Sequence, residues 1–255
     1  MGAIMEALEK TKAQTYARVV QTFLGSSQFR FIAVQTWLLH PDLARDLATR
    51  HKIANAMPPE RHTPDKDTIA LLEPFERLGL DRITLVRTGA QAQLAHDQLI
   101  TASAWGFDTE SKPTFKVNER SEGPHILQLS TAQRAWVFQL QDPACSAVAA
   151  KLLATGGIVK AGFGLGDDRL RIMDKLGVEP ADMLELNTVF YKRGYRKDMG
   201  VKGAVAVLFN QRFMKSKKAA TSNWANDTLT ESQLLYAAND AYAAMRVWDA
   251  LGLST

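Results

Sequence analysis

The stretch Ser103-Ala-Trp-Gly-Phe-Asp-Thr-Glu110 indicates both the fold and a candidate site. The apolar residues before the acids suit a buried strand, and Gly106 allows another backbone to approach closely. Residues two apart in a strand point to the same side of the sheet, so Asp108 and Glu110 project together. Like charges held side by side are destabilising unless a cation lies between them. This strand end therefore predicts a metal site, with two solvated acids in water as the alternative.

A second candidate acid follows a short apolar strand predicted at residues 158–161. Gly162-Phe-Gly-Leu-Gly-Asp-Asp168 joins this strand to a helix predicted over residues 169–176. The loop does not fit dinucleotide binding, because Asp167 stands where G-x-G-x-x-G needs its third glycine and would repel pyrophosphate. An acid at a helix start satisfies free N–H groups, so one of Asp167 and Asp168 could serve only as a helix cap. The glycines would leave room for something large to approach the other.

A helix predicted near the end of the chain carries a third acid. Thr230-Glu-Ser-Gln233 is a capping box, which marks the first turn of this helix. Tyr236 and Asp240 lie four residues apart and so share one side of it. Alanine, valine and leucine residues continue along that side, which indicates that protein covers it in part. A carboxylate there is costly without a cation or a hydrogen-bond partner, although the pair could instead lie on a wet face.

The order of the predicted elements indicates an α/β fold with a mixed sheet flanked by helices. Three of the strands follow one another with no helix between them, which favours antiparallel pairing at that point. Strands are predicted over residues 82–87, 103–110, 125–130, 135–140 and 158–161, and helices over residues 68–78 with a break near Pro74, 90–101, 144–155, 169–176 and from residue 230 onward.

The first third of the chain differs from the rest. Residues 1 to about 54 are rich in helix-forming residues, with apolar positions on a helical period. Met57-Pro-Pro-Glu-Arg-His-Thr-Pro-Asp65 is a linker by composition. We therefore predict a helical N-terminal extension over residues 1–81, with a linker near residues 56–67, and a single domain over residues 82–255.

The composition of the 255 residues excludes several classes of protein. A single cysteine, Cys145, rules out an internal disulfide framework and fits a reducing compartment. No apolar run approaches the roughly 18 residues that a membrane span requires. The amino terminus has acidic residues early and lacks the apolar core of a signal peptide. We expect an intracellular, cytoplasmic protein without a membrane partner, and the sequence leaves its oligomeric state open.

Positive charge is concentrated in one block of the chain, although the net charge is only +4. The block runs from Lys192 to Lys218, and Asp198 is the only acidic residue within it. Such a block favours a polyanionic partner, with a solvated basic face as the alternative. Its members are Lys192, Arg193, Arg196, Lys197, Lys202, Arg212, Lys215, Lys217 and Lys218.

Taken together, three segments resemble the motifs of the DEDD exonucleases, in the tyrosine-containing branch with ribonuclease D and the Werner-type exonuclease domains. The segments are Gly106-Phe-Asp-Thr-Glu110, Lys160-Ala-Gly-Phe-Gly-Leu-Gly-Asp-Asp168 and Tyr236-Ala-Ala-Asn-Asp240. Ser222-Asn-Trp224 and the residues after it look especially similar to the Werner-type members. One departure is Ser111, which stands where those members often carry tryptophan.

The resemblance implies a ribonuclease H-like fold and a two-metal site. Asp108 would bridge both ions, Glu110 and Asp240 would hold the ion that activates water, and Asp168 would support the second ion. Tyr236 would position the attacking water. Oxygen ligands of this kind suit Mg²⁺ or Mn²⁺ rather than zinc.

The implied activity is 3'→5' exonuclease cleavage, which releases 5'-mononucleotides from the single-stranded 3' end of a nucleic acid. DNA is favoured because the third motif resembles the Werner-type members. A ribonuclease D-like activity on RNA, or a catalytically silent nucleic-acid-binding module on the same fold, is the alternative. The residues predicted to bind substrate are Thr109, Lys192, Arg193, Arg196, Lys197, Lys215, Lys217 and Lys218.

Overall fold

The computed structural model describes residues 63–114, 122–195 and 198–253. Residues 64–187 and 198–255 form one compact unit, and residues 188–197 belong to a second. The helices predicted before residue 55 lie outside the described residues. The domain boundary at residue 82 and the cytoplasmic location stay predictions.

Short strands and helices alternate along most of the described chain. The strands are β1 (Glu73–Pro74), β2 (Ile83–Val86), β3 (Ala104–Glu110), β4 (Ile126–Ser130), β5 (Ala135–Gln139), β6 (Val159–Gly162), β7 (Met183–Glu185) and β8 (Gln211–Arg212). The helices are α1 (Lys66–Leu71), α2 (Gly89–Leu99), α3 (Pro143–Ala154), α4 (Leu165–Leu176), α5 (Leu186–Lys192), α6 (Gly200–Phe209), α7 (Lys217–Ala220) and α8 (Glu231–Ala250). Of these described helices, none combines the length and the apolar character needed to cross a membrane.

Six strands form one mixed sheet in the order β2-β5-β4-β3-β6-β7. The pairs β3–β4 and β4–β5 are antiparallel, and the remaining pairs are parallel. The predicted α/β fold with a mixed sheet is therefore confirmed. The helix predicted from Thr68 to Leu78 is shorter than expected and ends at Leu71, because Glu73–Pro74 pairs with Gln211–Arg212 as a separate two-stranded sheet.

The side chains of β3 alternate between the two faces of the sheet. Trp105 and Phe107 point into an apolar core that also contains buried residues of α2, α3 and α4. Gly106, Asp108 and Glu110 point to the other face, because successive strand residues alternate. Helix α8 packs on that second face and contacts β3 more extensively than any other helix does among the described residues.

Helix α8 approaches β3 at backbone distance. A Cβ atom placed on Gly106 would lie 1.9 Å from the carbonyl oxygen of Ala241 and 2.7 Å from the backbone nitrogen of Met245. The side of α8 that faces the sheet is rich in buried alanine, which leaves room for this contact. The predicted capping box is present, since the side chain of Thr230 accepts from the N–H of Gln233, and the side chain of Gln233 accepts from the N–H of Thr230.

Gly106→Ala should destabilise the protein, because the new methyl group overlaps the backbone of α8. We expect the free energy of unfolding in urea to fall by about 1–3 kcal/mol, the usual cost of overpacking. Gly166→Ala is the matched control, since Gly166 lies in the first turn of α4 with nothing within 4 Å of a new Cβ. That variant should gain about 0.4–1 kcal/mol from the reduced entropy of the unfolded chain. Equal stability of the two variants would contradict the close contact.

Candidate active site

Three carboxyl groups converge where β3 ends beneath α8. Asp108 and Glu110 come from the second face of β3, and Asp240 comes from the middle of α8. One oxygen of each lies within 4.8 Å of one oxygen of each of the others. Asp240 is buried, whereas Asp108 and Glu110 are partly buried. The structure thus brings together three of the four predicted acids, although Asp240 lies 130 residues after Glu110 along the chain.

The fourth predicted acid, Asp168, lies in the first turn of α4. Its side chain is buried and accepts a hydrogen bond from the hydroxyl of Thr109, which stands between the two acids of β3. Asp167 is exposed. The geometry therefore selects Asp168 rather than Asp167 as the acid that faces the strand end. Thr109 was predicted to bind substrate, and its described side-chain partner is this carboxyl.

The side chain of Glu185 caps the start of α4, a role that sequence reasoning missed. The N-cap residue is Gly164, whose φ of 76° suits glycine, and the N–H of Leu165 donates to Glu185 at 2.8 Å. The other carboxylate oxygen of Glu185 accepts from the N–H of Asn187 at 2.9 Å. The proposed helix-cap role for an acid at 167 or 168 is therefore wrong, because both residues lie inside the first turn. The position of Glu185 at the end of β7, beside β6, could have indicated this role.

Tyr236 lies one helical turn before Asp240 on α8. Its ring packs against the buried Trp224, with 5.9 Å between the ring centroids. Burial raises the pKa of Tyr236 well above its ordinary value, and the nearby carboxyls of Asp240, Glu110 and Asp108 raise it further. The phenol consequently stays protonated at neutral pH and can donate its O–H.

Lys215 is the residue of the basic block that the structure places at the acids. Its Nζ lies 2.7 Å from Oδ2 of Asp240 and 5.6 Å from the centroid of the Tyr236 ring. Lys217 and Lys218 are exposed. Nothing in the sequence distinguished these three lysines, because each is only a positive charge in a run of positive charges.

The remaining basic residues predicted to bind substrate are not part of the described unit that holds the acids. Lys192 and Arg193 belong to the second unit, which includes residues 188–197, and Arg196 and Lys197 lie outside the described residues. Substrate binding by these residues, and by the exposed Lys217 and Lys218, stays a prediction.

Gln128 is a second residue that sequence reasoning missed. It lies directly opposite Asp108 in the β3–β4 pair and is fully buried. Neither atom of its amide has a hydrogen-bond partner among the described residues. Directly opposed residues on one face of a sheet have Cβ atoms about 5 Å apart, so this amide is a neighbour of the acidic strand end. A polar residue in the apolar strand Ile126–Ser130 was the available signal.

The electrostatics of the cluster favour a bound cation. Burial is the largest cause of the raised pKa of Asp108 and of Glu110, the neighbouring carboxyls raise both further, and Lys215 opposes the shifts. Together these effects place the pKa of Asp108 well above its ordinary value and that of Glu110 at about 9. Burial also raises the pKa of Asp240, and Lys215 opposes this increase. Burial raises the pKa of Asp168 as well, and the hydrogen bond from Thr109 opposes that increase. The cluster therefore ionises readily only when a cation offsets its charge, and its oxygen ligands fit a hard divalent ion.

A mixed sheet flanked by helices, with acids at the end of a central strand, is the arrangement of the ribonuclease H-like fold. The 3'-5' exonuclease family matches residues 83–255, and the chain belongs to that family. The predicted family, the fold and the class of hydrolytic exonuclease are therefore confirmed. The family is metal-dependent, in agreement with the acidic cluster.

Individual relatives cover only part of the chain. The bifunctional 3'-5' exonuclease/ATP-dependent helicase WRN of Mus musculus is 30% identical over 149 residues, which cover 58% of this chain and 11% of that protein. A 3'-5' exonuclease of Arabidopsis thaliana is 28% identical over 101 residues, which cover 39% of this chain and 35% of that protein. The chain thus matches much less than two thirds of the length of either relative.

Solved structures share the fold at lower identity. The Nibbler EXO domain of Aedes aegypti superposes with a TM-score of 0.59 at 20% identity, covering 70% of this chain and 90% of that one. The ribonuclease D of Escherichia coli, an exoribonuclease, also has a TM-score of 0.59, at 17% identity, covering 67% of this chain and 44% of that one. At these identities the likeness supports the fold alone.

Glu110→Gln should change how stability depends on pH. In the folded protein the pKa of Glu110 is raised from 4.5 to about 9. Its contribution to stability is therefore fully present below pH 4.5 and is lost as pH rises through about 9. Glutamine has no such proton to lose. We expect urea unfolding of the chelator-treated variant to show a shallower loss of stability from pH 5 to pH 9 than the wild type shows.

The exposed Glu76→Gln variant is the control and should keep the wild-type slope. A Glu110→Gln variant with the same slope as the wild type would show that this carboxyl is already ionised in the folded protein.

Proposed function

We propose that the chain is a 3'→5' exonuclease that releases 5'-mononucleotides stepwise from a single-stranded 3' end. The observation that carries this proposal is the convergence of Asp108, Glu110 and Asp240 within 4.8 Å of one another. A buried group of carboxyls is costly to maintain, and metal-dependent cleavage of phosphodiesters is the chemistry that uses one. Family membership supports the same reaction.

The carboxyls have distinct roles in this proposal. Asp108, Glu110 and Asp240 hold one divalent ion, and Asp168 with Asp108 supports a second. Mg²⁺ or Mn²⁺ suits the oxygen ligands. Two such ions supply charge neutralisation on the phosphate and activation of water. The hydrogen bond from Thr109 to Asp168 favours the ionised form of Asp168, which is the form that can bind a cation.

Tyr236 orients the attacking water. Its phenol is protonated at neutral pH, so it donates a hydrogen bond to the water oxygen rather than removing a proton. The ring is held against Trp224, and the backbone is held in the second turn of α8. This arrangement favours a positioning role, because little side-chain freedom is lost when water binds.

Exposed positive residues near the cluster supply affinity for the substrate backbone. Lys217 and Lys218 belong to the short helix α7, two and three residues after Lys215. Contacts from such residues to phosphates add affinity without base specificity. Lys192, Arg193, Arg196 and Lys197 are proposed to contribute in the same way. The predicted substrate contact of Thr109 is a separate proposal, because this residue is buried and uncharged and its hydroxyl donates to Asp168.

A catalytically silent binding module on this fold is the less favoured function. Loss of at least one acid would be expected in such a module, and all four acids with Tyr236 are present here. Their assembly in and beside one buried cluster favours retained chemistry.

Asp108→Asn should abolish cleavage, because the amide cannot supply the charge that holds the cation. Hydrolysis of a labelled oligonucleotide with Mn²⁺ should fall by at least about a thousandfold, the scale on which removal of one member of a catalytic set acts. Asp167→Asn is the matched control at an exposed acid and should retain activity. Circular dichroism should show both variants folded. Metal-dependent activity in Asp108→Asn would refute the site.

DNA is the proposed substrate. The similarity to the WRN relative and the Ser222-Asn-Trp224 segment favour it, and an RNase D-like activity on RNA is the alternative. We expect faster release of mononucleotides from a single-stranded DNA than from the RNA of matched sequence, measured at equal concentration with each metal. A strong preference for the RNA strand would reverse this assignment and leave the reaction type unchanged.

A further inference from the structure

Lys215 differs from the other lysines of the basic block in its surroundings. Its ammonium forms an ion pair with Asp240 at 2.7 Å and lies over the ring of Tyr236 at 5.6 Å from the centroid. The side chain of Lys215 is 30% exposed and that of Asp240 is 4% exposed. An ion pair with one fully enclosed partner is held more firmly than a surface pair, because water and salt screen it less.

The backbone on both sides of Lys215 is anchored. Phe213 is buried and packs against Phe75, with 6.0 Å between the ring centroids. On the other side, the side chain of Ser216 caps α7 by accepting from the N–H of Ala219 at 3.2 Å. A lysine whose flanking backbone is anchored gives up less freedom when its ammonium is held in one place. The segment therefore presents this ammonium to the cluster rather than to solvent.

The charges around Lys215 are those of the acidic cluster. Burial lowers the pKa of Lys215, but the carboxyls of Asp240, Asp108 and Glu110 raise it, and the net shift is upward. The ammonium is therefore firmly charged. In return, Lys215 opposes the effect of burial on the pKa of Asp108, Glu110 and Asp240.

We propose that Lys215 is a positioning residue that holds the Asp240 carboxylate and the Tyr236 ring in one arrangement. This role differs from that of Lys217 and Lys218, because their exposed side chains suit phosphate contacts. The kinetic effects expected from this inference rest on the proposed function. Its electrostatic consequence is independent of that function, because a cation beside the carboxyls repels a divalent ion that binds to them.

The test compares Lys215→Met, which keeps a long apolar side chain without the charge, with Lys215→Arg, which restores a charge at similar reach. For Lys215→Met we expect kcat to fall by about tenfold or more, because orientation of the reacting groups is lost. KM for the oligonucleotide should stay within about threefold of the wild type, since no phosphate contact is removed. Lys215→Arg should recover a large part of kcat.

A second measurement does not depend on turnover. Calorimetric titration of chelator-stripped protein with Mn²⁺ should show tighter binding by Lys215→Met than by the wild type, since a neighbouring positive charge is gone. Lys151→Met is the charge-matched control, because Lys151 is exposed on α3, which packs on the opposite face of the sheet. It should leave kcat, KM and Mn²⁺ binding unchanged.

Three results would overturn the proposal. A higher KM with unchanged kcat would make Lys215 a phosphate contact like its neighbours. Unchanged kcat and KM would remove its role in the reaction. Weaker Mn²⁺ binding together with a lower melting temperature would make it a structural residue. If the wild type cleaves neither DNA nor RNA, the proposed function fails, and the Mn²⁺ titration still decides whether Lys215 acts on the cluster.

Discussion

The backbone contact between β3 and α8 is the constraint on which the site depends. Gly106 has no Cβ, so the backbone around Ala241 can lie directly against the strand. The residue before Ala241 is Asp240, and the residue two positions after Gly106 is Asp108. One close approach therefore places an acid of the helix beside the acids of the strand. A larger residue at either surface would separate α8 from the sheet and move Asp240 away from Asp108.

The cluster assembled by this contact carries a cost in stability, which is consistent with the proposed binding of a cation. Buried carboxyls that lie close together favour the protonated form, as the raised pKa values of Asp108, Glu110 and Asp240 show. The protein offsets part of this cost with its own cation, Lys215. The amide of Gln128 beside Asp108, which has no hydrogen-bond partner within the described part of the chain, adds a further cost. Such unfavourable groups persist where they serve binding or catalysis, and here they surround one strand end.

Residues outside the acid set determine how the acids are presented. Glu185 caps the helix that carries Asp168, and Thr109 donates to the Asp168 carboxyl from between the two acids of β3. Trp224 packs on Tyr236. Each support comes from a different part of the chain. Precise placement therefore depends on the packing of the whole unit rather than on the motifs alone.

The sequence by itself determined the relations that follow from local backbone geometry. Strand periodicity put Asp108 and Glu110 on one side, and helical periodicity put Tyr236 one turn from Asp240. The five predicted strands followed from hydrophobic patterning, and the capping box followed from the residue types at Thr230 and Gln233. Only the tertiary structure decided which acid of the 167–168 pair turns inward, that Glu185 caps α4, and that Lys215 meets Asp240. The physical reason is that these relations join residues distant in the chain, and their distances depend on how helices pack on the sheet rather than on the repeat of any one element.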